Sequence, residues 1–260
     1  MLESITPIII AFDEAPNIGR ALAQLGWARE IVVVDSGSTD GTREIVAGVA
    51  NARLIVRPFT TLAEQWRFAI HETAVATEWV LRLDADYILT DALVAELARL
   101  DPGPEIGACR IGFTYCVHGV PLRASLYPPD DRLFRRRGLD IYQDGHTERF
   151  RFAGARLALT GRILHDDRKL LGRFLWSQDR YQAAEAAKLL ATPPGELDRI
   201  DRLRRRGFIA PIAILVYCLI WKGLIFDGRA GFYYAFQRTL AELILALNLL
   251  DAGLRDDGTR

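Results

Sequence analysis

Four short runs rich in β-branched residues alternate with helix-period segments through the first hundred residues, and no other feature narrows the fold as much. The runs predict strands at Ile8 to Phe12, Glu30 to Asp35, Arg53 to Arg57 and Trp79 to Asp84. Pro16 to Leu25 carries Ile18, Leu22 and Leu25 at helical spacing and stops at Gly26, a glycine just past a helix end. The stretch after Asp40 and the one from Leu62 to Ala74 read the same way, and Thr90 is placed to cap a helix over Asp91 to Leu100. Strand and helix in alternation build a mostly parallel sheet flanked by helices, so the predicted class is α/β.

The pattern changes twice further on. From Ile106 to Leu164 short mixed segments with Gly, Pro and aromatics predict irregular strands and long loops. Beyond them come a helix-like Leu171 to Ala191, a Pro-Pro-Gly break at 193–195, an Arg-rich stretch and two long apolar segments. The chain therefore divides into 1–105, 106–170 and 171–260. Its 33 basic and 33 acidic residues balance to zero, which gives no global electrostatic case for nucleic acid. Cys109, Cys116 and Cys218 have neither disulfide nor zinc-site spacing and fit a reducing compartment. The N-terminal apolar run PIIIAF is of strand length and ends at Asp13 and Glu14, so no signal peptide is expected.

Two segments carry chemistry. In WVLRLDADY alternate side chains share a face, so Asp84 and Asp86 point the same way just beyond a strand end, where open parallel sheets bind ligands. Two carboxylates there suit a divalent cation gripping a diphosphate; a solvated Asp-rich turn is the plainer alternative. In IVVVDSGSTDGT a buried strand delivers Asp35 to a tight turn into a helix, placed to accept hydrogen bonds from a base or ribose. An ordinary capped strand-to-helix turn would look the same. Neither the GxGxxG fingerprint nor a GxxxxGK[ST] loop occurs.

In the order FDEAPNI, VVVDSGSTDGT and LDAD, the chain resembles glycosyltransferase family 2, whose fold is of the GT-A type. AEQWRFAI, YPPDDRLFRR, GHTERF, His165 and FDGRAGFYYA extend the likeness to the non-processive subgroup that includes lipopolysaccharide-core glucosyltransferases. The resemblance implies a nucleotide-sugar-binding half over 1–105 and an acceptor-binding half over 106–170. It implies nucleotide contacts from Asp13, Glu14, Asp35, Ser36, Arg67 and Asp84, and a Mg²⁺ or Mn²⁺ ion held by Asp86. Asp13 stands where the family usually has Asn, Tyr87 follows LDAD where Glu is common, and Trp66 and Arg67 replace a common Lys-Asn pair. The QxxRW motif of processive synthases is absent, which implies addition of one sugar.

An inverting transfer needs a base for the acceptor hydroxyl. DGHTERF offers Asp144, His146 and Glu148. The subgroup's His-Glu position implies Glu148, with Asp144 in reserve; an exposed charged loop is the bland alternative. His165 ends the run LALTGRIL, and GT-A enzymes often use such a histidine as a metal ligand, while a lone histidine is commonly structural. Arg132, Arg135, Arg136 and Arg137 offer charge for a diphosphate or for a basic rim.

Phe208 to Trp221 has no charge, follows a cluster including Arg204, Arg205 and Arg206, and is short for a span. Docking on an anionic membrane surface is expected, with a span or a buried helix as alternatives. The whole sequence thus predicts a single-sugar transferase that uses a UDP-sugar and a lipid-linked or lipopolysaccharide acceptor. It would be cytoplasmic, peripheral on the inner face of the plasma membrane. The alternatives are a polyprenyl-phosphate acceptor, an inactive nucleotide-binding scaffold or a membrane-anchored interaction protein.

Overall fold

A computed structural model describes residues 1–144 and 147–257, without the side chains of residues 144, 147, 256 and 257. It divides into two compact units, Met1–Gly119 with Leu126–Arg168 and Val120–Ser125 with Lys169–Arg260.

The first unit is α/β, as expected. Its strands are β1 (Ile5–Ala11), β2 (Ile31–Asp35), β3 (Ala52–Val56), β4 (Trp79–Asp84), β5 (Tyr87–Leu89), β6 (Ile106–Val117), β7 (Asp130–Arg135) and β10 (Ala155–His165), plus a hairpin of β8 (Asp140–Asp144) and β9 (Thr147–Arg151). The sheet runs β3-β2-β1-β4-β7-β6-β10-β5. β1 pairs in parallel with both β2 and β4, and β7 returns antiparallel between β4 and β6. Every residue of β2 is buried, which is why IVVV reads as a continuous apolar run: parallel strands are covered on both faces. One face packs Ile9, Val33, Leu81 and Leu83 with α1 (Ile18–Ala23), α2 (Thr42–Ala47) and α4 (Asp91–Arg99). The other packs Ile8, Val32, Val34 and Val80 against α3 (Leu62–His71) through Trp66, Ala69 and Ile70.

The prediction of irregular strands and long loops over 106–164 holds in part: the pairings of β6 with β7 and β10 carry register shifts and the segment between Val117 and Asp130 is mostly loop, but two of the strands are not short. β6 and β10 are long, at 12 and 11 residues, and pair in parallel. Gly107 and Gly161, which look like turn signals, sit inside strands where backbone approaches closely. A Cβ on Gly161 would lie 2.5 Å from Leu93 Cα, and one on Gly107 would lie 1.8 Å from the Ala153 carbonyl oxygen.

The second unit is helical: α5 (Leu171–Ala191), α6 (Arg199–Arg204), α7 (Ile209–Val216) continuing as a π-turn (Tyr217–Trp221), and α8 (Gly228–Asp257). Ala186, Leu189, Leu197, Leu245 and Leu249 form its core. Arg204 does not lie free for a membrane surface, because its guanidinium is clamped by Glu242 at 2.5 Å and Glu185 at 3.4 Å inside the unit. Arg205 donates to the Thr192 carbonyl. Among the described residues no single helix is long and apolar enough to cross a membrane.

Candidate active site

The carboxyl ends of β1, β2 and β4 lie side by side, with Ala11 opposite Asp35 and Ile10 opposite Asp84. The two aspartates therefore flank the turn that leaves β1.

The turns after β1 and β2 are stitched together. Asp13, held at φ 52°, donates its N–H to Ser38 Oγ at 2.8 Å and accepts from Thr39 N at 3.0 Å. Glu14 N and Ala15 N donate to Thr42 Oγ1 and Asp40 Oδ2, and Glu14 Oε2 accepts from Asn17 at 2.9 Å. Asp35 is fully buried, accepting at Oδ1 from Gly37 N and Ser38 N and at Oδ2 from the Ser38 hydroxyl. Ser36 Oγ accepts from Gln65, whose amide oxygen in turn meets Arg57. Arg67 donates to the Ile141 carbonyl and so braces α3 against β8.

The end of β4 is arranged differently. Asp84 stays 45% exposed at its side chain, and Arg132 Nη1 stands 3.7 Å from its Oδ2. Arg132 Nη2 meets Asp130 at 3.1 Å, Asp130 meets Arg82 at 3.5 Å, and Arg82 pairs with Glu148. An alternating chain of charge thus runs from Asp84 to Glu148. Arg82 lies between the rings of Trp66 and Phe150, 5.3 and 4.5 Å from their centroids. Burial pushes the Asp84 carboxyl up, but Arg132, Arg82 and a hydrogen bond from Tyr87 outweigh it and hold the group below its ordinary range. Arg132 is buried, and its Nε and Nη1 have no hydrogen-bond partner among the described residues.

His165 reaches the same place from β10. Its register partners are Tyr87 on β5 and Tyr115 on β6, and its Nε2 lies 3.1 Å from Asp86 Oδ2. Tyr87, Tyr115 and Tyr127 surround the ring at centroid distances of 5.1, 4.7 and 4.6 Å. A second network fixes the strand exit. Asp166 accepts from Arg20, Arg168 and Gly119 N, and Asn17 binds Asp167. Among the described residues no group of three or more His, Cys, Asp or Glu gathers as a metal cage. Asp86 and His165, with Asp84 two residues earlier at the end of β4, are donor types that would suit Mg²⁺ or Mn²⁺.

The carboxylates read as base candidates divide. Glu148 is buried against Arg82, whereas the Asp144 side chain and all of His146 lie outside the described residues. Of the four arginines read together, Arg132 enters the site and Arg135 does not. β7 runs antiparallel to β4, so Arg135 sits opposite Trp79 at the far end and pairs with Glu78, and Arg136 binds the Thr77 carbonyl. Sequence reasoning passed over Arg82 and Asp130. Arg82 was discoverable, since it precedes Asp84 by two residues on one strand face in an otherwise apolar run.

The family model described as glycosyl transferase family 2 matches residues 6–153. A lipopolysaccharide core biosynthesis glycosyltransferase, LpsC of Rhizobium meliloti (strain 1021), is 28% identical over 258 residues, covering 87% of this chain and 93% of that protein. An uncharacterized glycosyltransferase of Rickettsia bellii is 37% identical over 98 residues, which is 37% of this chain and 32% of the relative. Among solved structures, S. aureus TarS 1–349 in complex with UDP-GlcNAc is 12% identical, with 97% of this chain and 92% of that one covered and a TM-score of 0.47. Glucosyl-3-phosphoglycerate synthase from Mycobacterium tuberculosis is 18% identical, with 74% and 82% covered and a TM-score of 0.43. With more than half its length matched by the family model, this chain belongs to glycosyl transferase family 2 and is a glycosyltransferase related to a lipopolysaccharide core biosynthesis enzyme.

Proposed function

We propose that the protein is an inverting, metal-dependent transferase that moves one hexose from a UDP-sugar to a lipid-linked or lipopolysaccharide-core acceptor at the inner face of the plasma membrane. The observation that carries this reading is the meeting of Asp86 and His165 beyond the end of β4, with His165 Nε2 3.1 Å from Asp86 Oδ2. Asp86 and His165 would hold Mg²⁺ or Mn²⁺, and Asp84 the nucleotide or the ion. Once bound, the ion offsets charge on the departing nucleoside diphosphate.

The chain's own residues do the rest. Arg132, whose Nε and Nη1 make no hydrogen bond and whose Nη1 is ion-paired with Asp84, is placed to meet diphosphate oxygens. Asp13, Glu14, Asp35 and Ser36 shape the floor for the nucleoside, Asp35 by closing its turn from within; Arg67 acts on that floor by bracing α3. Glu148 takes the acceptor proton, and Arg82, paired with its carboxylate, orients it. Asp144 and the half-exposed Asp130 are the competing carboxylates. The lipopolysaccharide-type acceptor rests on the similarity to LpsC over 87% of this chain.

Transfer from UDP-[¹⁴C]glucose and other UDP-hexoses to acceptor lipids, with Mn²⁺, Mg²⁺ or EDTA, tests this reading. Product that requires the metal and carries an inverted anomeric centre supports it; metal-independent transfer, or retention, overturns it. If polyprenyl phosphate is glycosylated and Glu148→Gln leaves that rate intact, the acceptor is an already ionised phosphate.

A further inference from the structure

The second unit leaves one side of its most apolar helix uncovered. Phe208, Ile212, Val216 and Ile220 follow one another at steps of four along α7 and the π-turn, and they are 69, 68, 54 and 64% exposed. Trp221 and Phe226 continue the strip at 82 and 75%. The opposite side packs inward through Ala210, Pro211, Cys218 and Leu224. A helix apolar all round belongs in a buried setting, and six large apolar side chains in one exposed strip exceed the scattered ones any surface carries. Such a strip is a surface that another body would cover.

Charge decides which body. Residues 199–229 hold seven basic and two acidic side chains. Asp227 is paired with Arg123 at 2.8 Å, and Arg204 is engaged by Glu242. What remains outside is strongly cationic: Arg199, Arg202, Arg206 and Arg229 are exposed, and Lys222 follows Trp221 directly. Arg206 and Lys222 bracket the strip at its two ends. A two-fold interface between copies would set this cationic frame against itself. An anionic bilayer meets both demands, accepting aromatics at the headgroup level and cations on its phosphates. Ile209 to Trp221 is about 20 Å long at helical rise, short of the roughly 30 Å hydrocarbon core. The chain then bends by 71° into Leu224–Arg255, a pair that by length and composition alone matches a broken span or re-entrant loop; the cationic side chains at both ends of the strip favour the in-plane position.

We propose that Phe208, Ile212, Val216, Ile220 and Trp221 lie in the interfacial region of an anionic phospholipid surface, with Arg206 and Lys222 on lipid phosphates. This deepens the membrane-linked reading above. It is tested with no donor present, so failure of docking and failure of the transferase reading are separately visible.

The experiment is flotation of the full chain with phosphatidylcholine vesicles, with and without phosphatidylglycerol. Wild type floats with the anionic vesicles and is released by salt. Ile212→Glu and Ile220→Glu change exposed positions and so leave the melting temperature in place; each lowers the bound fraction about tenfold or more. Arg206→Gln with Lys222→Gln flattens the salt dependence. Brominated lipid quenches wild-type tryptophan fluorescence and quenches Trp221→Phe much less. Equal flotation of wild type and the Glu variants overturns the proposal, as does no binding to anionic vesicles. So does a dimer in light scattering that Ile212→Glu splits without any change in vesicle binding.

Discussion

The turns after β2 and β4 begin alike and end differently. Each strand delivers an aspartate to the same sheet edge, on either side of β1. Asp35 is fully buried, with both oxygens occupied by its own turn, while Asp84 stays half exposed among Arg132, Arg82 and Tyr87. An aspartate saturated by local donors sets shape; one with open lone pairs beside charged partners is available to a ligand. In the function proposed above, the two similar-looking motifs would divide the labour, the first building the floor and the second meeting the ion and diphosphate.

The sharpest way to break that contrast is at the open turn. Asp86→Asn should lower metal-dependent transfer about 10³-fold while leaving the melting temperature within a degree or so, measured by Mn²⁺ titration of the initial rate. A folded variant with near-normal rates across the titration would remove Asp86 from the metal. Next in size is the far end of the charge chain. Glu148→Gln should cost roughly 10²-fold in transfer with UDP-sugar affinity nearly unchanged, because a base acts on the acceptor. Asp130→Asn and Asp144→Asn run beside it, and whichever abolishes transfer alone identifies the base.

The closed turn should respond in stability. Asp35→Asn places an amide where two backbone N–H groups and a hydroxyl converge in a dry site, and about 2 kcal/mol should be lost in urea unfolding. Loss of transfer with unchanged stability would instead give Asp35 a direct ligand role. The smallest effect concerns the strand that brings His165 to the open turn. Glu96 on α4 accepts from the N–H groups of Thr160 and Gly161 on β10. Burial raises its pKa, but these hydrogen bonds more than offset that and hold it below its ordinary 4.5. A depressed carboxylate stabilises the fold above its unfolded pKa and loses that contribution as pH falls through the folded value. Glu96→Gln should therefore cost about 1 kcal/mol at pH 7 and converge with wild type in acid, by urea melts across pH. A pH-independent difference would mean that packing, not charge, is responsible.

The open turn was legible early because its signal is local. A period of two in WVLRLDAD puts its aspartates at a strand end, and β4 begins and ends as predicted, at Trp79 and Asp84. The run from Leu171 to Ala191 also forms the helix its spacing predicts. What the sequence hid is long-range pairing. Nothing near YPPDDRLFRR says that β7 inserts antiparallel between β4 and β6, yet that insertion brings Arg132 and Asp130 to Asp84 and sends Arg135 to the opposite end. The long β6 and β10 were masked by glycines that serve close packing rather than turns. Arg204 looked like part of a surface cluster because its partners, Glu185 and Glu242, are 19 and 38 residues away.

The most direct test is a thermal-shift titration of nucleotide-sugars with and without Mn²⁺, on wild type and Asp86→Asn. Ligand binding to the native state raises apparent stability in proportion to ln(1 + [L]/Kd). A UDP-hexose should stabilise wild type far more with Mn²⁺ than without, and Asp86→Asn should lose the metal-dependent part alone. Stabilisation identical with and without Mn²⁺, or none by any nucleotide-sugar, would contradict a metal-assisted nucleotide-sugar site at this sheet edge.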